Sequence, residues 1–277
     1  MDDCLSSLTV QDEFGSGLVQ ILVIDNYHNL QNHKELSEIC AVHDYIDLVW
    51  EKKPGLSNAR NMAIKKCSTE YIGFLDDDCI ASSNYLKVCI NTIQNFEFSC
   101  FGGHIASWWK FGRVKWLPEN YGEKPKLAER TVPIQEGYIW GGNMVYRLSS
   151  LIMVGGFPVG VGMQAKKLGY GAENIVQINM RKLGETIGYI PDLIVKHIVS
   201  KEKLHVSWHI RAAYATSRDG RDVFPEQYTF KHKTKEFLRF PIIVTNSCYS
   251  LLFRPRYYVQ NFILDVGGHL AKLVGSL

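Results

Sequence analysis

No stretch of this sequence approaches the about 20 consecutive apolar residues that a membrane-spanning helix needs, which argues against a transmembrane anchor. The opening Met1-Asp2-Asp3-Cys4-Leu5 has neither a basic segment nor an apolar one of the secretory kind. Cysteine pairing signals are missing too. The seven cysteines (4, 40, 67, 79, 89, 100 and 248) are odd in number, scattered and without a CxxC pair, so they read as reduced thiols of a cytosolic protein and not as a disulfide or zinc framework. Charge of one sign is also scarce. A formal net charge of +3 is too mild to suggest a nucleic-acid partner, although the basic residues gather late in the chain. No segment has the composition of a disordered tail.

What is present is enough for one large α/β domain, or one domain with an appendage: 277 residues, 46% hydrophobic and 21% charged. Residues 2–11 read as the end of a helix, followed by a glycine-containing turn at 14–17. Val19–Asp25, Tyr45–Trp50 and Tyr71–Asp76 have strand character, and helical spacing over 33–41 and 56–66 separates them. That alternation predicts a mostly parallel sheet wound with helices. A helix follows Ser82-Ser83, then a strand at 98–103, then a Trp- and Pro-containing stretch over 108–133 that lacks periodicity and reads as a long loop. Strand signals return at 138–147, 187–190 and 193–197, with helices over 147–154, 173–183 and 204–217.

The chain is organised around Tyr71-Ile72-Gly73-Phe74-Leu75-Asp76-Asp77-Asp78, an apolar strand that delivers three consecutive carboxylates to its carboxyl end. Adjacent like charges are costly without a cation among them, and the carboxyl ends of strands form the ligand crevice of an open α/β sheet. The site is thus suited to a divalent cation and, through it, a phosphate; the alternative is a solvated acidic turn that caps the next helix. A dehalogenase-type phosphatase also puts an acidic pair after a strand, but Cys79-Ile80-Ala81 lacks the threonine that such a site wants.

Several stretches together resemble the family 2 glycosyltransferases of GT-A fold. They are Val23-Ile24-Asp25-Asn26, Gly55-Leu56-Ser57-Asn58-Ala59-Arg60-Asn61, Phe74-Leu75-Asp76-Asp77-Asp78, Trp140-Gly141-Gly142-Asn143-Met144, Val154-Gly155-Gly156-Phe157 and Pro191-Asp192-Leu193-Ile194-Val195-Lys196-His197. The resemblance spans residues 1–220 and implies a nucleotide-sugar donor, most commonly a UDP-sugar in that family. It implies that Asp25 contacts the base, that Arg60 and Asn61 hold the nucleotide, and that Asp76 and Asp77 lie on the donor. Gly142 and Asn143 would line the donor sugar and acceptor side. Asp78 and His197 would ligate Mg2+ or Mn2+. In the later acidic motif Glu173 matches the catalytic base of an inverting transfer, whereas Ala172 replaces the family's first acid and Asn179 its arginine. Trp108, Trp109 and Trp116 would either stack on sugar or anchor their loop.

Residues 221–277 form a basic C-terminal extension. Lys231, Lys233, Lys235, Arg239, Arg254 and Arg256 alternate with Phe237, Phe240, Tyr257 and Tyr258, and apolar residues recur at helical spacing from Val259 to Val274. This predicts a segment lying on an anionic membrane surface at the inner face of the plasma membrane, and with it a glycan or lipid-linked acceptor of envelope or extracellular polysaccharide synthesis; the alternative is a terminal helix packed on its own domain. The family's opening strand, central in its sheet, has no counterpart here. Its absence predicts a shortened, poorly active chain and leaves room for a second reading, a catalytically impaired transferase homologue acting as a membrane-associated interaction protein.

Overall fold

The computed structural model describes residues 1–27, 29–164 and 167–276. Two compact units form along the chain: Met1–Trp108 with Gly122–Gly160 and Ala172–Ile198, and Trp109–Tyr121 with Val161–Gly171 and Val199–Leu277.

The first unit is α/β. In chain order it contains α1 (Asp2–Thr9), β1 (Ile21–Asp25), α2 (Leu30–Cys40), β2 (Ile46–Trp50), α3 (Leu56–Lys66), β3 (Tyr71–Leu75), β4 (Cys79–Ala81), α4 (Tyr85–Asn95), β5 (Cys100–Trp108), β6 (Val132–Pro133), β7 (Asn143–Arg147), α5 (Leu148–Met153), α6 (Ala172–Lys182) and β8 (Ile187–Ile198). β1 and β2 form a parallel pair of their own, and the larger sheet runs β3-β7-β5-β8-β4 with β6 beside β8. The expected mostly parallel sheet is therefore a mixed one. Among the described residues only β5 and β8 run parallel in the larger sheet; β7 returns antiparallel between β3 and β5, and β4 and β6 run antiparallel to β8. The sequence pattern shows strand periodicity but not direction, and antiparallel neighbours need no crossover helix to announce them.

The core sits on β5, β7 and β8. Cys100, Phe101, Met144, Tyr146, Ile187, Tyr189, Leu193 and Val195 are each almost wholly buried. Gly102 and Gly103 let β5 lie between its neighbours, since a β-carbon on Gly102 would strike the Asn143 carbonyl and one on Gly103 those of Ile190 and Leu193. The two short strands expected around Pro191 are one strand, β8, whose register on β5 slips between Gly103 and Ile105. That irregularity accommodates Pro191, which has no N–H for the ladder.

The second unit is helical: α7 (Val206–Val223), α8 (Phe230–Phe253) and α9 (Val259–Ser276). α7 runs through residue 220, the boundary expected from sequence, and the helical unit takes up the chain from Val199. α9 packs on both α7 and α8. Gly275 faces the Tyr214 carbonyl so closely that a β-carbon there would require a shift. Sequence reasoning missed α8, because Pro241 interrupts its pattern, as it missed the short strands β4 and β6; in the structure the helix runs through that proline. No described helix is long and apolar enough to cross a membrane.

Candidate active site

The site is built at the carboxyl end of β3. Asp76–Asp78 turn there, with Cys79 N–H donating to the Asp76 carbonyl at 2.9 Å, and the chain runs straight into β4. This turn spreads the three carboxylates. Asp76 accepts from Arg60 Nη2 at 3.3 Å, Asp78 Oδ1 lies 3.3 Å from His197 Nε2, and Asp77 is exposed. β4 pairs with β8 so that Cys79 lies opposite His197, which is how a histidine far along the chain reaches the acidic turn.

Arg60 comes from α3. Its side chain is 5% exposed, and Nη2 also donates to the Gly141 carbonyl at 3.0 Å. The guanidinium lies 5.2 Å from the Phe157 ring centroid. Buried Nη1 has no hydrogen-bond partner among the described residues. A buried unpaired donor on a cation costs free energy that an anionic oxygen would recover.

Glu173 stands in the first turn of α6 and reaches the same place. A β-carbon on Gly141 would sit 2.9 Å from Arg60 Nη2 and 3.5 Å from Glu173 Cδ; one on Gly142 would sit 3.0 Å from Asp76 Oδ2 and 3.3 Å from Cys79 Sγ. The two glycines thus let the loop lie close against Arg60, Glu173, Asp76 and Cys79, where a β-carbon would be crowded. Gln177, one turn along α6, fixes that loop by exchanging two 2.8 Å hydrogen bonds with the Ile139 backbone. Gln177 was missed in the sequence because a buried glutamine in a helix carries no motif.

The other expected site residues divide by the partners they already hold. Asn61 spends both ends of its amide on Phe157, donating to its carbonyl at 2.8 Å and accepting from its N–H at 2.9 Å. Asn143 is fully buried, accepts from Tyr85 Oη at 3.1 Å and donates to the Leu193 carbonyl at 2.8 Å. Both hold backbone in place. Asp25 is 3% exposed at the end of β1, takes the Tyr27 N–H on Oδ1 and faces His33 Nδ1 at 2.7 Å with Oδ2. His33 in turn stacks on Trp50, ring centroids 4.6 Å apart. Asn26 accepts from Gly55 N–H at 2.8 Å and donates to the carbonyls of Glu51 and Lys53, which sets the start of α3. Trp116 is buried against His209, and its carbonyl takes an Asn261 hydrogen bond, so this tryptophan anchors its loop.

Ligand atoms of Asp78, Cys79 and His197 lie within 4.8 Å of one another. A carboxylate and an imidazole, their side chains 40% and 23% exposed, suit a divalent ion that keeps open positions for further oxygens. Cys79 is a poor third ligand: it is fully buried, and burial first, then Asp76 and Asp78, push its thiol pKa far up. Cys4 sits against the same turn, its Sγ 3.6 Å from the Asp76 carbonyl, and burial foremost, with the three nearby carboxylates, raises its thiol pKa to about 12. Both thiols therefore stay protonated, which adds no further negative charge to the acidic turn.

Solved structures share this fold. The chain is similar to the mannosyltransferase PcManGT from Pyrobaculum calidifontis in complex with GDP-Man and Mn2+, at TM-score 0.60 and 12% identity over 98% of this chain and 82% of that one. It is similar to S. aureus TarS 1-349 in complex with UDP-GlcNAc, at TM-score 0.55 and 15% identity over 99% and 85%. GalNAc-T7 with UDP, GalNAc and Mn2+ aligns at TM-score 0.54 and 15% identity, with 95% of this chain spanning 51% of that one. Among curated proteins, an uncharacterized glycosyltransferase of Rickettsia bellii (strain RML369-C) is 32% identical over 80 residues, 28% of this chain and 12% of that protein's length. The model of glycosyl transferase family 2 matches residues 1–155, more than half of the sequence. The chain belongs to glycosyl transferase family 2 and has the GT-A fold.

Proposed function

We propose that the protein transfers a sugar, with inversion, from a nucleotide-sugar to a hydroxyl of a glycan or lipid-linked acceptor. The observation that carries this reading is the meeting of Asp76, Asp78, His197, Arg60 and Glu173 around the Gly141-Gly142 loop. Asp78 and His197 would hold Mg2+ or Mn2+, and the bound ion supplies charge neutralisation for the leaving nucleoside diphosphate. Arg60 would donate its buried Nη1 to a donor oxygen, and Asp76 holds that guanidinium in place. Asp77, exposed beside them, contributes negative charge and not ligation.

Glu173 would take the proton of the acceptor hydroxyl. The acceptor oxygen then bonds to the anomeric carbon from the face opposite the departing phosphate oxygen, and the nucleoside diphosphate leaves with the electron pair of the broken bond. Asn61 and Asn143 support the walls through Phe157 and Leu193, and Gly142, which has no side chain, would keep the loop clear of the donor. Asp25 and His33, with Trp50 stacked behind, would form the wall for the base, and a UDP-sugar is the first donor to try. The thiols suit a cytoplasmic enzyme, with envelope or extracellular polysaccharide as the product and an anionic membrane surface carrying the acceptor. A thermal-shift screen of nucleotide-sugars with and without Mn2+ tests the reading. Stabilisation by one donor only when Mn2+ is present supports it; no stabilisation by any donor under either condition overturns it and leaves the impaired-homologue reading.

A further inference from the structure

We propose that the outward side of α8 is a docking surface for an anionic lipid bilayer. The inference rests on the membrane part of the reading above and not on the transfer chemistry. α8 is apolar on two sides. One side, with Phe240, Ile243, Val244, Ser247 and Ser250 partly or fully buried, faces its own unit, where α9 packs on α8. The other exposes Phe230 (85%), Phe237 (70%), Leu238 (65%), Ile242 (59%) and Leu252 (74%). A helix apolar all round is normally covered all round, so this second side calls for an occupant.

Charge identifies it. Phe240–Phe253 holds no ionisable side chain apart from Cys248 and Tyr249, and Lys231, Lys233, Lys235 and Arg239 precede it while Arg254 and Arg256 follow. Glu236 is the sole acid from Phe230 to Arg256, and it already pairs with Arg239 at 2.8 Å. Phe230, Leu238 and Ile242 line a shallow groove of about 560 Å³ together with Lys231, Lys235 and Arg239. Cations that bracket an apolar stretch let a helix lie along the interface, with its apolar side chains among acyl chains and its ammonium and guanidinium heads at phosphate level. The run is too short to span, and no described helix meets that requirement. A second copy of this chain fits poorly, because joining two such faces would bring like charges together. The structure also moves the contact from where sequence pattern put it: α9, the amphipathic segment read from sequence, turns Phe262, Val266 and Leu273 partly inward, and α8 carries the larger exposed side chains.

The test is co-sedimentation of the full chain with phosphatidylcholine vesicles and with vesicles containing phosphatidylglycerol, at about 0.1 M and about 1 M salt, where the screening length falls from about 10 Å to about 3 Å. Binding is expected to need the anionic lipid and to weaken in salt. Lys231→Gln with Lys235→Gln should lower the partition coefficient about 30-fold, at the worth of one surface cation each. Leu238→Ser with Ile242→Ser should also lower it, and neither exposed pair should change the melting temperature. Equal binding to both vesicle types, no effect of either pair, or concentration-dependent self-association without vesicle binding would overturn the proposal. Donor binding, measured separately, reports on the transfer reading alone.

Discussion

The two units treat their costly groups in opposite ways. In the α/β unit, the buried amides around the site are matched: Gln177 and Asn143 are fully buried with every amide end bonded, while Arg60 Nη1 and, in the neighbouring loop, Trp140 Nε1 have no hydrogen-bond partner among the described residues. In the helical unit, by contrast, large apolar side chains of α8 stand in solvent beside exposed basic ones. A satisfied polar network fixes geometry, as chemistry at a defined atom requires, whereas an unsatisfied apolar face is adapted to a soft and variable partner. The first unit is ordered for positioning, and adhesion is the role proposed for the second.

The comparison breaks most visibly at the carboxylates. Asp78→Ala is expected to abolish metal-dependent donor binding, whereas the exposed Asp77→Ala should weaken it only slightly; titration calorimetry with Mn2+ distinguishes the two, and equal losses would show that the turn does not sort its acids as described. Glu173→Gln should lower kcat by about 10²–10⁴-fold while the donor still binds, because only the proton transfer is removed. A variant that transfers at the parent rate would move the base elsewhere.

Smaller effects sharpen it. Asn61→Ala leaves the Phe157 N–H and carbonyl without their partner and should cost about 1–3 kcal/mol in denaturant unfolding. Leu252→Ala, on the outward side of α8, should change stability by no more than about 0.5 kcal/mol. If the two costs prove alike, the contrast between a matched interior and a free face fails. The smallest effect is one of pH. Burial, foremost, holds the His209 pKa below its ordinary 6.5. A base depressed in the folded state binds fewer protons there than when unfolded, so it favours unfolding as pH falls through 6.5 and has no effect well above it. Thermal melts between pH 7.5 and 5.5 should show an acid loss that His209→Gln reduces.

The acidic turn, the arginine segment and the closing histidine were legible because each is a short local pattern, and the alternation of strands and helices announced the α/β class. Strand direction was not legible, since β7 and β4 reverse with no helix to signal it. Nor was α8, whose Pro241 and two-sided hydrophobicity hide helical periodicity. Asn61 and Asn143 look like ligand contacts in a sequence, because an amide in a motif cannot show that its hydrogen bonds end on Phe157 and Leu193. His33, which faces Asp25, and Gln177, which holds the glycine loop, have partners distant in the fold and belong to no pattern.

Titration of nucleotide-sugars into the parent chain and Asp78→Ala, with and without Mn2+, tests the central claim most directly. The account predicts saturable donor binding by the parent only when Mn2+ is present, and none by the variant. Donor binding that ignores the metal, or that survives loss of Asp78, would contradict it.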